Sequence, residues 1–292
     1  MFRMSYKKQR IAILFGFLTV PVLLCLTFSF YPAFSMLAYS FTDWSGVGWD
    51  MKWVGFANYA EIFSRPDIFG TFKNNAYYFV GGLVQTAVAL YFAVILSGRL
   101  KGRNFFRASL FLPYVLHGTA IVIMFRALYH AEYGSLNLLL GEVGLAGWQR
   151  MWLGDPALVN VSLAFISVWK YMGLNMVIFI GALQSIPHDY YEAAKIDGAS
   201  SWQTFRFVTF PSIRRVVELM MILTLTGALE AFEIPYIMML GANDTSTFVI
   251  STLDMAFKFQ KAGLASAMAI VLLIMVVLVI AAQRKLLFRE EK

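Results

Sequence analysis

Charge is what this 292-residue chain has least of: 14% of its residues are Asp, Glu, Lys or Arg, and 59% are hydrophobic. Soluble domains carry about a quarter charged residues. A folded domain of this size must still wet its surface, and too few polar groups are present to do so, so the composition fits a bilayer as solvent. Cysteine is nearly absent. Cys25 alone excludes a disulfide scaffold, and inside an apolar run it reads as a small hydrophobe. The three histidines, His117, His130 and His188, are not spaced to share a helix face and have no carboxylate cluster beside them, so no metal centre is expected. No G-x-x-x-x-G-K-[ST] loop is present to cradle ATP, and there is no H-E-x-x-H. Ser135 and Ser200 lack a histidine at matching membrane depth, which argues against an intramembrane serine protease. Disorder, collagen and coiled coil are excluded by 27 Phe, 14 Tyr and 7 Trp in long mixed runs. The chain is therefore not expected to be an enzyme, and it is expected to need no cofactor of its own.

What is present is a series of long apolar runs. A membrane-crossing helix needs about 20 mostly apolar residues, because every backbone amide in hydrocarbon must be satisfied within the helix. Six runs meet that requirement, at residues 11–41, 74–98, 106–129, 157–184, 211–233 and 262–284. The first has no charge between Arg10 and Asp43. It is too long for the roughly 7–15-residue core of a signal peptide and reads as a retained span, with Pro21 and Pro32 as places for a kink. The fourth is interrupted by Lys170, and the fifth is most apolar from Leu219 to Leu229. The pattern predicts an all-α, polytopic membrane protein with six transmembrane helices, forming a single domain over residues 1–292.

Lys and Arg are held on the cytoplasmic side of membranes, which sets the orientation. Four short segments each carry four of them: Arg3, Lys7, Lys8, Arg10; Arg99, Lys101, Arg103, Arg107; Lys195, Arg206, Arg214, Arg215; and Arg284, Lys285, Arg289, Lys292. The opposite loops are poorer in basic residues. Both termini are expected in the cytoplasm of a cell whose cytoplasmic (inner) membrane holds the chain. The formal charge of +7 is accounted for by these juxtamembrane segments facing anionic lipid, so no nucleic-acid partner is expected. The longest outer segment is rich in aromatics, including Trp44, Trp49, Trp53, Phe56, Tyr59 and Phe63, and reads as interfacial.

Between the fourth and fifth runs lies a cytoplasmic segment, residues 185–210, longer than a connection requires. Asp189 is placed to cap a helix from Tyr190 to Ile196, and Gly198 to stop it. Ser200 or Ser201 then caps a second amphipathic helix bearing Trp202, Phe205 and Val208, closed by Pro211. Ala193 and Ala194 leave one face flat, as close approach of another protein requires. Composition alone fits two readings equally: a hairpin resting on lipid headgroups, or a docking surface.

The spacing separates them. Glu192-Ala193-Ala194, Gly198 four residues after Ala194, and then Val208, Phe210 and Pro211 resemble the E-A-A-x-x-x-G-x(9)-I-x-L-P loop of ATP-binding-cassette (ABC) importer permeases. Other stretches are similar to the sugar branch of that family, in its first, maltose-permease-like type: Val54-Gly55-Phe56-Ala57-Asn58-Tyr59, Asn74-Asn75, Trp169-Lys170, Gly181-Ala182-Leu183-Gln184-Ser185-Ile186-Pro187, Phe232-Glu233 with Tyr236, and Gly241. Ala242 and Asn243 stand where the family has Gly and Pro, and the W-N-x-F pattern of the second type is missing.

The resemblance implies an ABC importer type I transmembrane fold and a subunit that carries a carbohydrate across the membrane. It implies partners: a second homologous permease, two copies of a cytoplasmic ATPase that binds the ATP, and an extracytoplasmic sugar-binding protein. Glu192, Ala193, Ala194, Asp197 and Gly198 would couple to the ATPase, with Glu192 meeting a basic residue there. Polar residues inside spans are costly unless they line a cavity or pair. Ser167, Trp169, Lys170, Tyr171, Asn175, Thr224, Thr226 and Glu230 are therefore the candidates for a sugar path. An ion-coupled secondary transporter would also place Lys170 and Glu230 in its spans, and it remains the alternative at this point.

Overall fold

The computed structural model describes residues 5–48, 50–98 and 100–287. Arg3, Trp49, Arg99, Arg289 and Lys292 lie outside the described residues. Among those described the chain is helical, with no strand and only an isolated bridge between Thr42 and Trp53. The main helices are α1 (Tyr6–Tyr39), α2 (Ala57–Ser64), α3 (Phe72–Ser97), α4 (Arg103–Val115), α5 (Gly118–Leu128), α6 (Ser135–Glu142), α7 (Val159–Gln184), α8 (His188–Ile196), α9 (Ser201–Thr204), α10 (Phe210–Leu229), α11 (Glu233–Met239) and α12 (Ala262–Leu287). Their contacts group the chain into two units, one of residues up to 66 with 252–273 and the other of residues 67–251 with those from 274 on.

Among the described residues, α1, α3, α7 and α12 are long and apolar enough to cross a membrane, and α4 with α5 makes a fifth such stretch, bent by 101°. The run at 106–129 thus differs from the straight span its composition suggests. Leu116 and His117 take extended backbone angles, and the His117 ring nitrogen accepts the Thr119 N–H to start a new helix. In α1 the two prolines do not break the helix. Leu26–Phe30 forms one wider π turn, and Tyr31–Tyr39 continues with Pro32 in its first turn, where a missing N–H costs least.

In the first unit α1 buries no residue, and its Phe and Leu side chains stand exposed along its length. Its end is held by α2. Buried Asn58 donates to the carbonyls of Ser40 (2.9 Å) and Thr42 (2.8 Å), and the Tyr59 hydroxyl meets the Ser40 hydroxyl at 2.8 Å. The V-G-F-A-N-Y stretch is therefore a clasp on the chain leaving α1. Glu61 binds Arg65 at 2.8 Å and Lys261 at 3.4 Å. Burial alone would raise its pKa, but these two cations hold it below the usual carboxylate value.

The second unit is built on α3 and α7, which run parallel in extensive contact, with α10 antiparallel against both. Adjacent glycines let α3 approach both neighbours. A Cβ on Gly81 would press on Val168 of α7 at 3.2 Å, and one on Gly82 would collide with the Thr224 methyl of α10. A Cβ on Gly173 would strike the backbone carbonyl of Leu110, so α4 crosses α7 at backbone contact. The core at one end of these helices holds Phe179, Met176, Ala89, Ala93 and Ile213; at the other it holds Ile121, Phe125, Val159, Leu163 and Ile166.

Candidate functional site

Two features of the second unit carry chemistry. The first is the helix predicted from the Glu-Ala-Ala pattern. It is formed as α8, but Pro187 occupies the N-cap position and Asp189 falls within the first turn without a side-chain cap. There its negative charge complements the helix dipole instead. Gly198 ends the helix with φ +73°, and the Ala199 N–H closes back on the Ala194 carbonyl at 2.9 Å. Ser200 caps the next turn in a box with Gln203. Pro211 does not close that helix: a π turn, Phe205–Thr209, lets the Phe210 N–H reach Phe205, and the helix runs on into α10 with Pro211 in its first turn.

Within α8, Glu192, Ala193, Asp197 and Gly198 are exposed, while Ala194 is buried and turned inward. The flat face is thus Ala193 alone, extended by two apolar side chains the sequence reading left out, Tyr190 at 57% and Ile196 at 85% exposure. The Glu192 carboxylate meets the His188 ring, one turn back, at 3.1 Å. The helix is tied to the bundle by the Tyr191 hydroxyl, which accepts from Thr209 in the π turn at 3.4 Å.

The second feature is a cavity of about 480 Å³ enclosed by α3, α7, α10 and the start of α11, within the range of small-molecule sites. Ser167, Tyr171, Asn175, Thr224 and Glu230 line it, as the sequence suggested. Three other candidates do not. Trp169 lies in a separate groove between α3 and α7 and packs edge-on against Phe125; Thr226 is outside the lining. Lys170 is nearly buried and donates to the Glu233 Oε2 at 2.5 Å.

Glu233 also accepts from the Tyr171 hydroxyl at 3.3 Å. Its other oxygen lies against Gly118, where any Cβ would collide with it. The bend between α4 and α5 thus brings a helix N-terminus beside this carboxylate, a favourable place for negative charge. Tyr78, Gln85, Phe232 and Glu233 complete the lining and were missed. A signal for the first two was present: Tyr78, Gly82 and Gln85 interrupt an apolar run at i, i+4 and i+7, the spacing of one helix face. The Tyr78 hydroxyl and the Asn175 amide nitrogen are buried behind this wall with no hydrogen-bond partner among the described residues.

A bent helix pair, a largely apolar cavity with a few polar side chains in its wall and an exposed helix bearing the Glu-Ala-Ala pattern are the parts of a transport permease. Residues 85–291 match the family described as binding-protein-dependent transport system inner membrane component, and the chain belongs to that family. It is 36% identical to the probable ABC transporter permease protein YurN of Bacillus subtilis, over 87% of this chain and 89% of that one. It is 33% identical to the diacetylchitobiose uptake system permease protein NgcF of Streptomyces coelicolor, over 90% and 79%, and 31% identical to the multiple sugar-binding transport system permease protein MsmF of Streptococcus mutans, over 92% and 93%. A chain from the crystal structure of a bacterial alginate ABC transporter, in complex with a periplasmic protein bound to alginate pentasaccharide, has the same fold, with TM-score 0.84 at 17% identity over 97% of this chain and 96% of that one. The protein is a membrane-embedded ABC importer permease and not an enzyme; an ATPase and a substrate-binding protein are its functional partners. Ion-coupled transport does not describe this family.

Proposed function

We propose that this permease moves a carbohydrate through the cavity between α3, α7 and α10, and that α8 receives the force that opens and closes it. Two observations support the carbohydrate. Relatives of 31–33% identity are sugar-uptake permeases by name, and the cavity presents a hydroxyl, an amide and carboxylates beside the aromatic faces of Tyr171 and Phe232, the groups that satisfy sugar hydroxyls and stack on a ring. The single observation that carries the proposal is the convergence of Ser167, Tyr171, Thr224 and Glu230, from α7 and the end of α10, on one cavity.

In this reading there are six spans, α4 with α5 counting as one and α10 as another. α10 carries Arg214, Arg215 and Glu218 in its first half, and Glu218 is buried against Arg214 at 2.8 Å. The apolar stretch Leu219 to Leu229 is shorter than the roughly 20 residues of a full crossing, so this span includes the charged first half of α10, packed against α3 and α7. Both termini are cytoplasmic. A second, homologous permease closes the other side of the path and covers the exposed α1, two ATPase copies grip the paired α8 helices, and an extracytoplasmic binding protein delivers the sugar. Glu192, Ala193, Asp197 and Gly198, with Tyr190 and Ile196, form the docking face, and α8 passes motion to α10 through Tyr191 and Thr209.

Replacing Glu192 by lysine tests the docking role. Uptake is expected to fall to background, or the ATPase to be lost on purification, with the permease still present in the membrane. Wild-type uptake with the ATPase retained would overturn it.

A further inference from the structure

The charge of the cavity says which sugars it admits. Its lining contains two carboxylates, Glu230 and Glu233, and no lysine or arginine. Lys170, beside the cavity, has a side chain only 7% exposed and is committed to Glu233. Its charge is therefore cancelled locally and does not face the cavity. Glu230, at the end of α10, is exposed and has no side-chain partner among the described residues. The remaining polar groups are neutral: Tyr78, Gln85, Ser167, Tyr171, Asn175 and Thr224. The Tyr78 hydroxyl and the Asn175 amide nitrogen are buried behind the lining and present no accessible surface to the cavity.

We infer that the cavity selects neutral or amino-bearing saccharides and rejects those carrying a carboxylate, sulfate or phosphate, with Glu230 as the residue that sets this preference. An anionic sugar entering here meets one uncompensated negative charge beside the protein wall, where Coulomb repulsion is several-fold stronger than in bulk water. A protonated amine gains the same interaction. This rests on the cavity being the translocation path.

The experiment reads the local potential directly, without the natural sugar. In the assembled importer, reconstituted with its ATPase and partner permease, Cys25→Ser removes this chain's native thiol. Ser167→Cys on α7 or Thr224→Cys on α10 then places a new one in the cavity wall; two positions on separate helices guard against an assembly defect at either. Each variant is treated with two methanethiosulfonates of similar size and opposite charge, one bearing trimethylammonium and one sulfonate. Each rate is divided by the same reagent's rate with a small thiol in solution, and labelling of this chain is read by mass. The cationic reagent is expected to react about tenfold faster after this correction, and the ratio to fall towards one when Glu230→Gln is added. A ratio near or below one, or a ratio unmoved by Glu230→Gln, overturns the selectivity while leaving the path intact. Failure of both reagents to reach either cysteine overturns the path itself, and the selectivity falls with it.

Discussion

The two ends of the second unit are held in opposite ways. At one end α3, α7 and α10 meet the turn at residues 240–247 through buried asparagines. Asn74 donates to the carbonyls of Asp244 (2.8 Å) and Ser246 (2.9 Å), Asn160 donates to Asp244 at 3.0 Å, and Asn75 donates to Ala228 and Leu229 at the end of α10 and accepts the Phe248 N–H. These bonds fix a turn in which Leu240, Gly241, Asn243 and Asp244 all have positive φ, angles that Gly, Asn and Asp adopt readily and Leu does not. At the other end α8 keeps an exposed face, with one long hydrogen bond to the π turn and one exposed contact between His188 and Glu192. One end is fixed by its own hydrogen bonds, and the other leaves polar and apolar groups exposed. A lever needs this asymmetry: a rigid seat where helices are clamped together and a face left free to be gripped.

The largest effect that would break this comparison is expected at Asn75. Asn75→Ala removes bonds to the last carbonyls of α10 and to Phe248, leaving buried backbone groups unpaired at a cost of about 2–4 kcal/mol. The thermal unfolding midpoint of the purified importer should fall by several degrees, and less permease should assemble. A midpoint equal to wild type would mean that the clamp is not where the stability lies. Tyr191→Phe at the opposite end should cost less, about 0.5–1 kcal/mol, because it removes one 3.4 Å bond to Thr209. Its signature is expected in function: ATP hydrolysis maintained with uptake reduced. A stability loss as large as that of Asn75→Ala would erase the distinction between the two ends.

How much of this was legible depends on whether a signal is local. Gly198 at φ +73° and the Ser200–Gln203 box sit where a glycine stop and a serine cap were read, since both act within a few residues. Asn74-Asn75 was visible as a motif, but its clamp role was not, because its acceptors lie more than 150 residues away. The same distance in sequence hid the use of Lys170: its partner Glu233 is 63 residues on, and only the fold shows that the pair withdraws a charge from the cavity. Pro211 misled for a different reason. A proline ends a helix when its ring meets the carbonyl four residues back, and the π turn before it relaxes that clash. The bend at His117 did have a local signal, Pro113 and the His117-Gly118 pair interrupting the apolar run, which the overall composition of the run outweighed.

The smallest effect separates two kinds of bond within the clamp itself. Lys73 binds Asp244 at 2.7 Å beside the asparagines, yet both side chains are about 60% exposed. Water and salt screen such a pair, and ordering a long lysine side chain offsets part of the attraction, so Lys73→Met should change stability by less than about 0.5 kcal/mol. The unfolding midpoint of the importer should be nearly that of wild type, and raising the salt concentration should shift the two by the same amount. A fall comparable with that of Asn75→Ala, growing smaller in high salt, would show that charge rather than buried amide hydrogen bonding holds the turn. The rigid end would then be as dependent on its surroundings as the end that carries α8.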